Sequence, residues 1–251
     1  MTVKLYSIRV SHPARAAGLM LRYKGIEHEI VDIPPGGQRL LMRVYGFRGG
    51  TVPALKIDGR KVQGSLDVSR ALEALKAEPA LFPADPEQRA AVEEAERWGE
   101  QVLQPPPRNI FRWAVTRDPN LRHRLAEATG WPLPDVAAKL TKPVAWYYSR
   151  VASGSSDESV RNELAALPAQ LDHVDELIAA GVIGGEQPNA ADFQIATSVR
   201  VLLNFPQLQP LIEGRPAGEL AMRIAPGFGQ SLPLELPAEW VPEPSGSAVR
   251  S

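Results

Sequence analysis

The chain has 251 residues, 44% hydrophobic and 23% charged, and 28 Lys and Arg nearly offset 29 Asp and Glu. Such a composition excludes wholesale disorder and allows one or two buried cores. The near-neutral charge, with a pI of about 6.5, gives no electrostatic footprint for nucleic acid or an anionic membrane.

There is no cysteine, so disulfides, Cys-ligated zinc and protein-thiol redox chemistry are excluded. No apolar run approaches the roughly 20 residues that cross a bilayer. The N-terminus enters a strand-like pattern without an apolar leader, and a cytoplasmic protein is the expectation.

Val3 to Ser7 is apolar enough for a buried strand. Pro13 stands where a helix begins, Ala17, Met20, Leu21 and Lys24 follow at helical spacing, and Gly25 closes it. Proline at the entry and glycine past the exit is the expected asymmetry. Glu29 to Ile33 reads as a second strand, ended by Pro34-Pro35-Gly36-Gly37. A polar stretch from Gln38 to Gly50 has room for one short helix. Two β-like runs, Thr51 to Ile57 and Arg60 to Gln63, then flank Asp58-Gly59, a strong hairpin signal. Ser65 is placed to cap a helix through Val68, Leu72 and Leu75.

Pro79, Pro83 and Pro86 mark a linker, after which the helical period takes over. Glu87 to Leu103 is amphipathic and is expected to stop at Pro105-Pro106-Pro107. Shorter helical segments fall at Asn120 to Thr129 and Pro134 to Ala152. The clearest helix starts with a capping-box pattern at Ser155-Ser156-Asp157-Glu158. Its apolar face is Val160, Leu164, Leu167, Leu171, Val174 and Ile178, and Pro168 should kink it. Asn189-Ala190-Ala191-Asp192 opens another, with Ile195, Val199 and Leu202 on one side. The expected organisation is an α/β domain over 1–77, a linker over 78–86, an all-α domain over 87–226 and a Pro/Gly/Ser-rich tail over 227–251.

Ser11-His12-Pro13 after the first strand, Val52-Pro53 before the hairpin and Gly64-Ser65 before the third helix recur in a fixed order. With Lys24-Gly25-Ile26, Leu81-Phe82-Pro83-Ala84-Asp85-Pro86 and Pro188 to Asp192, they make the chain resemble the glutathione S-transferase superfamily. The resemblance runs to about Pro226. It implies a thioredoxin-like α/β N-terminal domain, an all-helical C-terminal domain and glutathione as co-substrate.

On that resemblance the Val52-Pro53 bond is cis, and the Val52 backbone pairs with glutathione as a strand edge does. Ser65 binds the γ-glutamyl carboxylate at a helix N-terminus; its plainer use is as an N-cap. The family has Glu or Gln just before this serine, where this chain has Gly64, leaving Gln63 or Asp67 to substitute. Ser11 aligns with the residue that activates the thiol by donating to the sulfur, and otherwise is a cap. Tyr6, within the strand, is a poorer activator, and Ser7 stands at the approximate position of the family's alternative tyrosine activator. His12 is expected in an exposed loop, or else is a second donor.

The helical domain supplies the electrophile pocket, with Phe111, Trp113, Trp146, Tyr147 and Tyr148 as candidate walls for a small apolar electrophile; each has core packing as its alternative. Arg108, Arg112 and Arg117 are expected on a solvated face, or else orient an anionic substrate. Asn189 and Asp192 resemble the family's folding cap. His12, His28, His123 and His173 are scattered and no metal motif is present, so no metal is expected. The resemblance implies a homodimer. A non-catalytic ligand-binding or interaction protein of the same fold, or one that uses another small thiol, is the competing reading.

Overall fold

Period-two alternation along the first strand sets the layering. In β1 (Val3–Ser7) the side chains of Val3 and Leu5 enter one core and that of Tyr6 another. The computed structural model describes residues 1–34, 37–128, 135–136, 139, 142–147, 155–227 and 236–243. After β1 come α1 (His12–Tyr23), β2 (Glu29–Asp32), α2 (Gln38–Val44), β3 (Ala54–Ile57), β4 (Arg60–Gln63) and α3 (Ser65–Leu75). The four strands lie in the order β2-β1-β3-β4. β1 runs parallel to β2 and antiparallel to β3, and β3 pairs antiparallel with β4.

One face of this sheet is covered by Ala17, Met20 and Leu21 of α1 with Val68 and Leu72 of α3. On the other, Met42 of α2 and Phe47 close over Tyr6, Ile33 and Ala54. The register places Tyr6 opposite Ala54 and Ala54 opposite Gln63. The end of β1, the start of β3 and the end of β4 therefore share one edge of the sheet, where the functional loops leave it.

The helical part comprises α4 (Pro86–Trp98), a π turn (Gly99–Leu103), α5 (Pro105–Arg117), α6 (Pro119–Ala128), α7 (Lys142–Tyr147), α8 (Asp157–Ala179), α9 (Ala190–Leu202), α10 (Gln209–Ile212) and α11 (Pro216–Ile224), with 3-10 turns at Pro206–Leu208 and Ala238–Trp240. Most of the segment expected to be helical over 134–152 lies outside the described residues, apart from α7.

Two sequence expectations need correction and a third is extended. The helical run from Pro86 ends at Leu103, just ahead of Pro105, Pro106 and Pro107, which then make the first turn of α5. The first N–H groups of a helix have no intrahelical partner, so three prolines there forfeit nothing. Ser65 is the first helical residue of α3 and not its cap: Gly64 takes the cap position, with no side-chain bond. The box at the start of α8 is closed by Ser156 and Ser159, without Glu158. The expected apolar face of α8 is buried from Val160 through Val174, and the helix continues across Pro168.

The two parts share one core in which α1 packs on α9, with Tyr23 against Phe193 at 5.6 Å between ring centroids. Asp192, fully buried, closes the α9 cap by accepting from the Asn189 and Gly184 amides at 2.8 and 2.7 Å. The linker is clamped from both sides. Lys24, with no exposed surface, donates from Nζ to Glu73 at 2.7 Å and to the carbonyls of Lys76 and Pro79 at 2.6 and 2.8 Å. Glu73 in turn accepts from the Leu81 amide at 2.9 Å, while the Leu81 carbonyl accepts from Ala190 at 2.9 Å.

Removing one partner of a buried pair strands the other charge, at about 3–5 kcal/mol. Lys24→Met and Glu73→Gln should each lower unfolding free energy in urea by about that amount. The double variant should cost clearly less than the sum. Additive losses would show that the two groups do not act together.

Candidate functional site

The edge where β1, β3 and β4 converge carries three chain segments with polar groups facing outward. Ser11 follows β1 and is the N-cap of α1, in extended backbone conformation (φ −85, ψ 109). Its hydroxyl oxygen accepts from the Ala14 amide at 3.4 Å, a long bond, and its own hydrogen is donated to no described residue. A half-buried hydroxyl at a helix N-terminus, with a proton to give, suits an incoming anion.

The Val52-Pro53 peptide bond is cis, as the family resemblance implied. The backbone N–H and C=O of Val52 form no hydrogen bond with any described residue, whereas the carbonyl of Pro53 accepts from the Gly64 amide at 3.1 Å. That bond sets the start of α3 beside the Val52 loop. Gly64 has φ 105, a backbone region that side chains rarely adopt, and a Cβ there would meet nothing within 4 Å. Backbone geometry, and not crowding, selects glycine. Ser65 is buried in the first turn, whose amides are capped by no side chain.

Gln63 is already engaged. Its carboxamide accepts from the Gly49 amide and donates to the Thr51 carbonyl, both at 2.8 Å. A Cβ at Gly49 would come within 2.7 Å of Gln63 Oε1, so this close approach needs glycine. Gln63 therefore braces the loop that presents Val52. A groove of about 670 Å³ between β4 and α3 is lined by Gln63, Asp67, Arg48, Arg60, Lys61 and Arg70 among others, but by none of Ser11, Val52 or Ser65.

Of the aromatic residues expected to wall an electrophile pocket, the described ones sit in different surroundings. Trp113 is buried in the helical core, donating from Nε1 to Asp157 at 2.8 Å, with Arg117 stacked on its ring. Phe111 packs, half-buried, on the core margin. Trp146 is 55% exposed. The Tyr147 side chain and the whole of Tyr148 lie outside the described residues.

The sequence reading missed the burial of the residue that follows Ser11. His12 is not in an exposed loop: it is the first residue of α1 and only 4% exposed. Burial pushes its pKa down to about 3, helped by the Arg108 and Arg112 charges and opposed by the Gln104 backbone. The ring is thus neutral at physiological pH. Among the described residues its Nε2 has no hydrogen-bond partner, nor has Nε2 of Gln104, 6% exposed just before α5. Each such atom costs about 1–3 kcal/mol. The one sequence signal was a glutamine ahead of three prolines, in a stretch read as a helix stop.

Between pH 6.5, the ordinary imidazole value, and about 3 the unfolded chain binds a proton at residue 12 that the folded chain refuses. Stability is therefore complete above that window and falls as pH drops through it, by up to about 1.4 kcal/mol per pH unit. His12→Phe should flatten this acid limb in denaturant titrations run from pH 7 to 4. An unchanged slope would mean the ring takes up its proton in the folded state.

Residues 5–80 match the family model of the glutathione S-transferase N-terminal domain. Maleylacetoacetate isomerase of Mus musculus is 38% identical over 92 residues, 35% of this chain and 43% of the mouse protein. The match thus spans less than half the length of that curated relative. Among solved structures, a glutathione S-transferase from Rhodospirillum rubrum F11 superposes with TM-score 0.58 at 19% identity, over 95% of this chain and 98% of that one. Maleylacetoacetate isomerase from Anaeromyxobacter dehalogenans 2CP-1, with bound glutathione, gives TM-score 0.54 at 20% identity over 91% and 92% of the chains. At such identities the structures establish a shared fold.

Proposed function

We propose that this chain, which belongs to the glutathione S-transferase superfamily, binds glutathione along the Val52 backbone and holds its thiol as the thiolate beside Ser11 for attack on a small electrophile. The observation that carries this reading is the pair of unbonded Val52 backbone groups, at the same sheet edge as the Ser11 hydroxyl and the uncapped start of α3. A peptide laid there gains main-chain bonds from Val52, and its carboxylate meets the Ser65 amide and hydroxyl at a helix N-terminus.

A free thiol with a pKa near 8.5 is mostly protonated at neutral pH, and the thiolate is the nucleophile. Lowering that pKa by ~2 units requires ~2.7 kcal/mol of preference for the anion. One charge-assisted hydrogen bond from Ser11, with the α1 dipole behind it, is of that order. The thiolate then forms the new C–S bond while the electrophile's leaving group or π pair takes the displaced electrons.

The mouse and Anaeromyxobacter relatives named maleylacetoacetate isomerase favour a glutathione-dependent enzyme over a ligand-binding protein, without transferring their substrate. One observation favours the non-catalytic alternative. Gln63 is engaged with Gly49 and Thr51, and position 64 has no side chain where the family has Glu or Gln for the charged end of glutathione. The reading extends to a cytoplasmic homodimer that works without a metal.

Glutathione at 100 times its dissociation constant should stabilise the protein by ~2.7 kcal/mol; an unmoved melting temperature at millimolar glutathione excludes the reading. Ser11→Ala should lower kcat/KM about 10–100-fold at pH 7, with most of the loss recovered near pH 9, where the thiol ionises unaided. Equal activity at pH 7 would leave Ser11 as a cap alone. Gln63→Leu should raise KM for glutathione roughly tenfold with little change in kcat, through the loosened loop.

A further inference from the structure

One outer edge of the sheet is an open strand beside a groove that the candidate site does not use. β4 is the last strand of the sheet and pairs only with β3 among the described residues. The Gly64 amide bonds to the Pro53 carbonyl, and alternation along the antiparallel register turns the backbone groups of Val62 and Arg60 toward β3. Those of Lys61 and Gln63 therefore point outward, where no described residue bonds to them.

The groove of about 670 Å³ follows this edge, since every residue of β4 lines it. Its volume is that of a ligand site. Phe47 and Arg48 stand on one side and α3 on the other, where Ala71 and Ala74 keep the wall low. The charge is one-sided. Lys61 donates to the Gly46 carbonyl at 2.9 Å and stands over the Phe47 ring, so its partners are neutral. Arg48 and Arg60, both exposed, form no ion pair with any described residue. Arg70 is balanced by Glu96, and Asp67 is the one acid in the described lining. Cations on an edge strand discourage pairing between copies. That role needs neither a groove nor a cation from a second segment, and here Arg48 supplies one from the loop ahead of β3.

We propose that the β4 edge takes up an extended acidic segment of a partner protein as an added strand, paired with the Lys61 and Gln63 backbone and held by Arg48, Arg60 and Lys61 through its carboxylates. A purely anionic ligand would face the outward carbonyls of Lys61 and Gln63 as well as their amides, whereas a peptide backbone matches both. Val62 packs toward α3 and Lys61 toward Phe47. Arg60 and Lys61 therefore lie on opposite faces of the strand, and successive acidic residues of the partner reach both. The proposal does not rest on the glutathione reading.

The test is fluorescence polarisation of the full-length protein with a labelled octapeptide, Val-Glu-Glu-Val-Glu-Glu-Val-Glu. The same peptide N-methylated at every residue keeps its charge but cannot pair as a strand. The unmodified peptide should bind at least about tenfold more tightly than the methylated one, and its affinity should fall as salt is raised. Arg48→Glu and Arg60→Glu should each weaken it about tenfold or more. Both positions are exposed, so both variants should keep the melting temperature and sedimentation coefficient of the native protein.

A native protein that does not bind the peptide overturns the proposal. Equal binding of the methylated peptide, or its displacement of the unmodified one at equal concentration, also overturns it and leaves a site for anions of any shape. Affinity that survives both substitutions does the same. A lower sedimentation coefficient in the two variants would assign the groove to a second copy of this chain and overturn it as well. If one variant does not fold, the other decides.

Discussion

An ammonium group with no exposed surface ties the two halves of this protein together. A charge in the interior is costly unless every donor is satisfied, and Lys24 finds its partners in Glu73 and in carbonyls of the linker. The linker cannot shift without stranding that charge. Glu73 extends the constraint to Leu81, and Leu81 to the start of α9. Lys24 also directly follows α1, whose other end carries Ser11 and His12. The helix that positions the candidate site is therefore fixed at its far end by a buried ammonium group bonded to Glu73 and to the Lys76 and Pro79 carbonyls.

Around Ser11 the logic reverses, and groups that a purely structural sequence would satisfy are left open. The Ser11 cap bond is long, Val52 keeps both backbone groups unpaired among the described residues, and α3 begins on a glycine that offers no capping side chain. His12 and Gln104 add two buried unbonded nitrogens. Local departures of this kind, on a scaffold that is otherwise consistent, concentrate where a protein binds something. Gln63 shows the complementary principle: it spends both ends of its amide on holding the loop that presents Val52.

Much of the fold was legible because it rests on short-range chemistry. Asp58-Gly59 between two β-like runs gave the hairpin, Asn189 to Asp192 gave the α9 cap, and the three- and four-residue steps from Val160 to Val174 gave the buried face of α8. The prolines at 105–107 marked the end of one helical run but hid the start of the next, because a first helical turn needs no N–H. The π turn at Gly99–Leu103 carries the chain from α4 into α5 without a break that periodicity could mark. Ser11, Val52 and Ser65 were legible through the family pattern. His12 was not, because its burial depends on where α5 docks, a tertiary fact that no local spacing encodes. Trp113 took the core packing that the sequence left open beside a pocket wall, since an aromatic residue reads alike in both.

The account stands or falls on the state of the bound sulfur. Ultraviolet difference titration of glutathione on the protein, following thiolate absorbance from pH 5 to 10, measures it directly. The account predicts a bound thiol that ionises about 2 pH units below the free one in the native chain, and within a few tenths of the free value in Ser11→Ala. Ionisation at the free value in the native chain, or an equal depression in both proteins, would contradict it.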